Sequence, residues 1–316
     1  MFLILIFTAN VYASSLPSEL RVDYADYNPL SLVLKKFNWL DEEFKADNVR
    51  IHWVFSPGSD AALKNLQADS LDVASSGSLS SLWSKANGNA IKVFYIFGRP
   101  EWAAVVVSHD SPVDSVKDLK GKTIASPTGT DAYFFLLRAL RDAGLHKDDV
   151  RIISLPHKEG KAVLENNYVD AWGGVQPYAA ISQLERGSRV LYRNVNFNSY
   201  GVLNISGQFA RKYPEAVMRI IKVYEKARNW AIMHPDEFRV IYAEEARVSL
   251  PVSRMVLGRY DFLHPLFERN DITTLKDGSS ILKEEHFIRQ DNDVDKLIDD
   301  MIDSSFVEQF HLESAR

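Results

Sequence analysis

The residues in this chain best suited to chemistry sit at three strand-to-helix junctions. Val73–Ser81 reads VASSGSLSS, Ala125–Asp131 reads ASPTGTD, and Ala25–Pro29 reads ADYNP. Each puts small polar residues where a helix is about to begin. The unpaired N–H groups and positive dipole end of a helix start suit an anion. The same residues also serve as ordinary N-caps, here Ser78, Thr130 and Asn28. One such junction alone reads as a cap. Three in one chain, at the strand ends where open α/β sheets place their ligands, point to a binding site.

Covalent and metal chemistry has little to work with. Cysteine is absent, which removes thiol nucleophiles, Cys-ligated zinc, iron–sulfur clusters and disulfides together. The eight histidines show no HExxH spacing, and no GxSxG elbow occurs. Gly121-Lys122-Thr123 resembles the end of a phosphate-binding loop, but Val116 stands where that motif needs glycine. His157-Lys158-Glu159 matches a fragment of the zinc-deaminase motif with no Cys pair to complete it. No catalytic residue, metal ligand or cofactor is expected.

The elements that must position the junctions alternate. Short apolar runs at Leu20–Tyr24, Val49–Phe55, Leu71–Ala74, Ile91–Phe97, Ala103–Ser108, Thr123–Ala125, Val150–Ser154, Val169–Trp172, Val190–Tyr192 and Tyr200–Ile205 read as strands. Amphipathic runs lie between many of them, as at Leu30–Asn38, Ser59–Gln67, Leu79–Ala86 and Ala132–Ala143. This alternation predicts an α/β fold with parallel-rich sheets and flanking helices. From Pro214 onward the pattern is almost wholly helical, broken at His234-Pro235.

With 316 residues, the chain suggests about two domains. Hydrophobic residues at 46% and charged residues at 25% exclude a disordered tail protein and a polytopic membrane protein. The formal net charge is −5 with no strongly basic half, so nucleic acid is not an expected partner. At the N-terminus, Phe2–Phe7 reads FLILIF, too short to span a bilayer. With Val11 and Ala13 at signal-peptidase spacing, residues 1–13 read as a secretory signal cleaved before Ser14, although no Lys or Arg precedes the run. The expected location is periplasmic. A buried first strand is the competing reading.

Asp118–Leu145, reading DLKGKTIASPTGTDAYFFLLRALRDAGL, and Val169–Ala180, reading VDAWGGVQPYAA, resemble periplasmic binding proteins of aliphatic-sulfonate ABC importers. Leu71–Val107 is similar to the sulfonate branch of that family, which also includes taurine and nitrate binders. Leu297–Phe310 resembles the same proteins' tail, so the resemblance spans essentially the whole mature chain. It implies a two-lobed type II periplasmic binding fold that closes on its ligand. The crossings between lobes would be Ala103–Ser108 and Tyr200–Ile205. Lobe 1 would be residues 14–104 with 203–316, and lobe 2 residues 105–202.

The resemblance also implies ligand contacts at Tyr27, Asn28, Ser76, Ser78, Arg99, Glu101, Trp102, Gly129, Thr130, Asp131, Trp172, Gly174 and Gln176. Many relatives carry Asp, in a Trp-Asp-Pro pattern, where this chain has Gln176; the change removes a carboxylate near the presumed anion. Arg99, at the end of an apolar strand, would face the cleft mouth and fork onto two sulfonate oxygens. The alternative is that it pairs with Glu101 or Asp131. Tyr27, Trp102 and Trp172 would either wall the ligand or fill the lobe cores. The implied partners are a small anion and an inner-membrane ABC permease, with the protein itself a monomer. An enzyme on the same fold, acting on a small acid, is the rival function. The thiamine-precursor enzymes of the superfamily rely on a cysteine-rich motif, which this chain lacks.

Overall fold

The chain builds one sheet, passes to a second, and returns to finish the first. The computed structural model describes residues 16–314; the expected signal segment, 1–13, lies outside the described residues. The first passage is β1 (Glu19–Tyr24), α1 (Pro29–Lys36), α2 (Trp39–Phe44), β2 (Arg50–Phe55), α3 (Ser59–Gln67), β3 (Ala74–Gly77), α4 (Ser78–Ala86) and β4 (Ile91–Pro100). The second is β5 (Ala103–Val107), β6 (Thr123–Ala125), α5 (Asp131–Asp142), β7 (Arg151–Ile153), α6 (His157–Glu165), β8 (Ala171–Val175), α7 (Tyr178–Arg186) and β9 (Arg189–Tyr192). The return is β10 (Gly201–Ser206), α8 (Gly207–Lys212), α9 (Pro214–Met233), α10 (Pro235–Glu245), α11 (Leu250–Leu257), β11 (Tyr260–Asp261), α12 (Arg269–Glu284), α13 (Val294–Met301) and α14 (Ser305–Ser314).

The two sheets share a strand order. β1 and β2 pair in parallel, and a parallel bridge between Val22 and Val73 joins them to the segment leading into β3. Across the first sheet the order is then β2-β1-β3-β10-β4-β11. The second runs β7-β6-β8-β5-β9. Each has a parallel core with an antiparallel strand inserted fourth, β10 in the first sheet and β5 in the second, and β11 adds a further antiparallel edge strand to the first alone. Each inserted strand lies beyond a crossing from the other sheet. Because both faces are covered, β5 is buried at every position and β4 at nearly every one, which explains their unbroken apolar runs.

The crossings differ from the expected ones. Ala103–Val107 and Gly201–Ser206 are interior strands of single sheets. The chain changes sheet just before each, at Glu101–Trp102 and over residues 193–200. Both strands pair with neighbours on either side, with register shifts within β10 and at Val105/Val106, whereas the short polar stretches before them belong to neither sheet. The two crossings are tied together: Asn198 Oδ1 accepts from the N–H groups of Trp102 at 3.1 Å and Ala103 at 2.9 Å. Arg193 also pairs with Glu101 there.

β3 and β8 begin two to three residues later than expected. Ala74–Gly77 reads ASSG, a poor strand by propensity, but antiparallel pairing with β10 supplies its ladder. α9 opens with Pro214 and ends at Met233, and α10 starts at Pro235, as the His234-Pro235 break predicts. Among the described residues no helix is long and apolar enough to cross a membrane.

Candidate functional site

The N-termini of α4, from the first sheet, and α5, from the second, meet across the seam between the two halves. Gly77 is the residue before α4 and makes no side-chain cap. Instead the Asp131 carboxylate, at the first position of α5, fills that place, accepting hydrogen bonds from Ser80 Oγ and Ser199 Oγ. The N–H groups of Leu79 and Ser80 also favour its charged form, although burial pushes the carboxyl above its ordinary range. A Cβ on Gly77 would overlap this carboxylate, so only glycine leaves room for it. Gly129, at φ +84°, sits on the same seam, where a Cβ would come within 2.5 Å of the Trp83 ring.

Beside Asp131 is a cavity of about 10 Å³, lined by Tyr27, Trp102, Thr130 and Asp131 and by Gly58, Ser59, Ala132, His157 and Val175. That is room for about one water. Two of its walls carry buried nitrogen atoms without a partner, Trp102 Nε1 and His157 Nδ1. Burial pushes the His157 imidazole down to about 3, so it is neutral. No Lys or Arg lines the cavity. Asp26 accepts from Tyr178 Oη at 3.2 Å across the seam, and burial pushes its carboxyl up to about 6. Asp60 lies at the start of α3, where burial pushes its carboxyl above the ordinary range against the opposing pull of the Ala61 N–H and its own. Among the described residues no group of three His, Asp or Glu side chains could hold a metal ion.

Of the expected site residues, Tyr27, Trp102, Thr130 and Asp131 come together at this cavity. Tyr27 Oη donates to the Ser75 carbonyl at 3.0 Å, and its ring meets Trp102 edge-on at 6.3 Å. Thr130 Oγ1 accepts from the Tyr133 N–H and caps α5. Ser78 adjoins the seam but is engaged with the Tyr200 backbone in both directions. Asn28 and Ser76 lie in a buried polar network. Asn28 Nδ2 donates to Ser75 Oγ at 2.7 Å, and Asn204 Nδ2 to Ser76 Oγ at 2.8 Å.

The remaining expected residues lie away from this cavity. Arg99 lines a different cavity, of about 380 Å³, with Glu101, Asn198, Ser199 and Tyr200. Its guanidinium is forked onto the buried Asp271 carboxylate, donates to the His264 and Leu266 carbonyls, and stacks on Tyr200. Its partner is therefore neither Glu101 nor Asp131, but a residue 172 positions away with no local signal to pair the two. Glu101 pairs with Arg193. Trp172 is fully buried in the core between β8 and the α6–α7 layer. A Cβ on Gly160 or Gly174 would strike its indole, so Gly174 makes space for that ring rather than for a ligand. Gln176 is also buried, its Oε1 accepting from the Ala180 N–H of α7 at 3.1 Å.

Several site residues escaped sequence reasoning. Ser59 follows Ser56-Pro57-Gly58, a fourth junction of the same composition, and its Oγ accepts from the Gly77 N–H at 3.0 Å. His157 looked like the remnant of a chance motif. Ser80 is simply a helical serine, and Ser199 comes from an irregular crossing that leaves no sequence signal.

The comparisons agree with this architecture. A Bacillus subtilis protein provisionally named an aliphatic sulfonates-binding protein is 26% identical over 92% of this chain and 87% of its own length. The alkanesulfonate-binding protein SsuA from Xanthomonas axonopodis, solved bound to MOPS, superimposes with a TM-score of 0.80 at 20% identity, covering 91% of this chain and 99% of that one. The desulfurization enzyme DszB superimposes at 0.68 with 17% identity, covering 94% and 99%. The fold is thus that of periplasmic binding proteins, shared with an enzyme. The NMT1/THI5-like family model matches residues 44–238, more than half of a chain whose two like-ordered sheets meet at facing helix N-termini, and the protein belongs to that family.

Proposed function

We propose that this protein is the solute-binding component of an ABC importer. It captures an aliphatic sulfonate or a similar small organic anion between its two halves and delivers it to a membrane permease. The observation that carries this reading is the meeting of the α4 and α5 N-termini, from separate sheets, at a seam walled by Tyr27 and Trp102. Helix starts supply N–H donors and a favourable field for a sulfonate without any cationic side chain. The aromatic rings suit its organic tail. In this reading lobe 1 carries the first sheet and lobe 2 the second, with the chain changing lobe at Glu101–Trp102 and over residues 193–200 rather than at 104/105 and 202/203. The protein works as a monomer in the periplasm and catalyses nothing. The ligand, bridging the two halves, stabilises the loaded arrangement that the permease reads.

Calorimetric titration in a sulfonate-free buffer with ethanesulfonate, taurine, sulfate and acetate tests it. Saturable binding of a sulfonate is expected, with the ligand recovered unchanged by mass spectrometry. Conversion of the ligand would transfer the reading to an enzyme. Binding of acetate in preference to every sulfonate would remove the sulfonate assignment.

A further inference from the structure

The place that the proposed function gives to a ligand's anionic group is filled by the protein itself. Asp131 reaches from α5 onto the start of α4, where Ser80 and Ser199 hold its carboxylate and glycine at position 77 allows the approach. It is 7% exposed. Beside it is a cavity of about 10 Å³ whose lining includes Trp102 and His157, each with a buried ring nitrogen, Nε1 and Nδ1, that has no partner. A site with unpartnered polar atoms and room for no more than about one water has the features of a binding cleft closed over something smaller than its ligand. A carboxylate shares with a sulfonate its negative charge and its oxygen acceptors, so the two suit the same N–H and hydroxyl donors.

We propose that Asp131 is an internal occupant of the anion seat, which latches the two halves together when no solute is bound and must be displaced by the solute's anionic group. Displacement has two consequences. The empty protein is mostly closed, so its apparent affinity is reduced by the fraction of molecules in which the seat is vacant. A ligand must also out-compete a carboxylate already anchored nearby, which selects for anions that hold their charge and offer more oxygens than Asp131 does. Asp131 is in this sense a specificity-determining residue. The competition rests on the anion-binding reading above; the latch does not.

The test uses wild type, Asp131→Asn and Asp131→Ser, each checked by thermal unfolding. Small-angle scattering without ligand should give a compact wild type and an expanded Asp131→Ser. Calorimetry with ethanesulfonate should show both variants binding at least about tenfold more tightly than wild type. Equal radii of gyration for all three empty proteins would overturn the latch. Equal or weaker ethanesulfonate binding by the variants would overturn the competition, and weaker binding would make Asp131 a direct ligand contact. If no protein binds ethanesulfonate, the anion reading fails, and scattering alone still decides the latch.

Discussion

Arg99 shows how a residue of the right type can serve a different end. Its fork geometry suits a sulfonate, yet it is spent on Asp271, whose side chain is 2% exposed. Asp271 also caps the start of α12 by accepting from the Glu268 N–H at 2.7 Å. Removing the arginine would strand a buried charge, and breaking such a pair costs about 3–5 kcal/mol. Arg99→Ala should therefore lose that much stability in urea unfolding while its sulfonate affinity stays within about twofold of wild type. His157 makes a second prediction, in pH. The folded imidazole stays neutral down to about 3, whereas the unfolded chain protonates below about 6.5. His157 therefore reduces stability as pH falls through that window, with a limiting slope of about 1.4 kcal/mol per pH unit. Asp23 and Asp26, both pushed up to about 6 by burial, act in the opposite sense, since the fold binds their protons more tightly than the unfolded chain. Subtracting the unfolding free energy of His157→Gln from that of wild type isolates the histidine. The difference should fall on acidification from about pH 7 to 4, and a flat difference would show an ordinary histidine.

At the scale of elements, local signals were legible where one residue decides one helix end. Thr130 and Asn28 cap α5 and α1 as their positions predict, and Pro214 and Pro235 open α9 and α10. Thr130→Ala should cost about 1 kcal/mol, the usual value of a lost cap, read by chemical denaturation; no change would show that water replaces the hydroxyl. α4 is the exception. Ser78 looks like its cap, yet the helix begins on Ser78, and the donors at its start face a carboxylate from the other sheet. β3 departs from expectation for a related reason. Its Ser and Gly residues have little strand propensity, and β10, which arrives 124 residues later, supplies the pairing.

At the scale of the molecule, the two halves meet along a seam that tolerates no extra bulk. Gly129 combines a positive φ with a close approach to Trp83. Gly129→Ala would add backbone strain of about 1–2 kcal/mol and wedge the halves apart. Its radius of gyration in scattering should exceed that of wild type, with a red-shifted tryptophan emission. A compact variant with unshifted emission would mean that Trp83 simply turns aside.

The sequence by itself determined the α/β class, the helical return after Pro214 and the three Gly/Ser junctions, because periodicity, capping chemistry and proline geometry act within a few residues. It also carried the family resemblance, through motifs that lie in continuous stretches. It could not reveal that the two sheets repeat one strand order, since the inserted strands β5 and β10 come from opposite sides of the chain and leave no periodic trace. Nor could it assign partners. That Arg99 belongs to Asp271, that Trp172 fills a core and that Asp131 sits on α4 are all decided by contacts between residues far apart in sequence. Which charge meets which is set by packing, because a guanidinium or carboxylate has the same local chemistry whether it faces a ligand or another side chain.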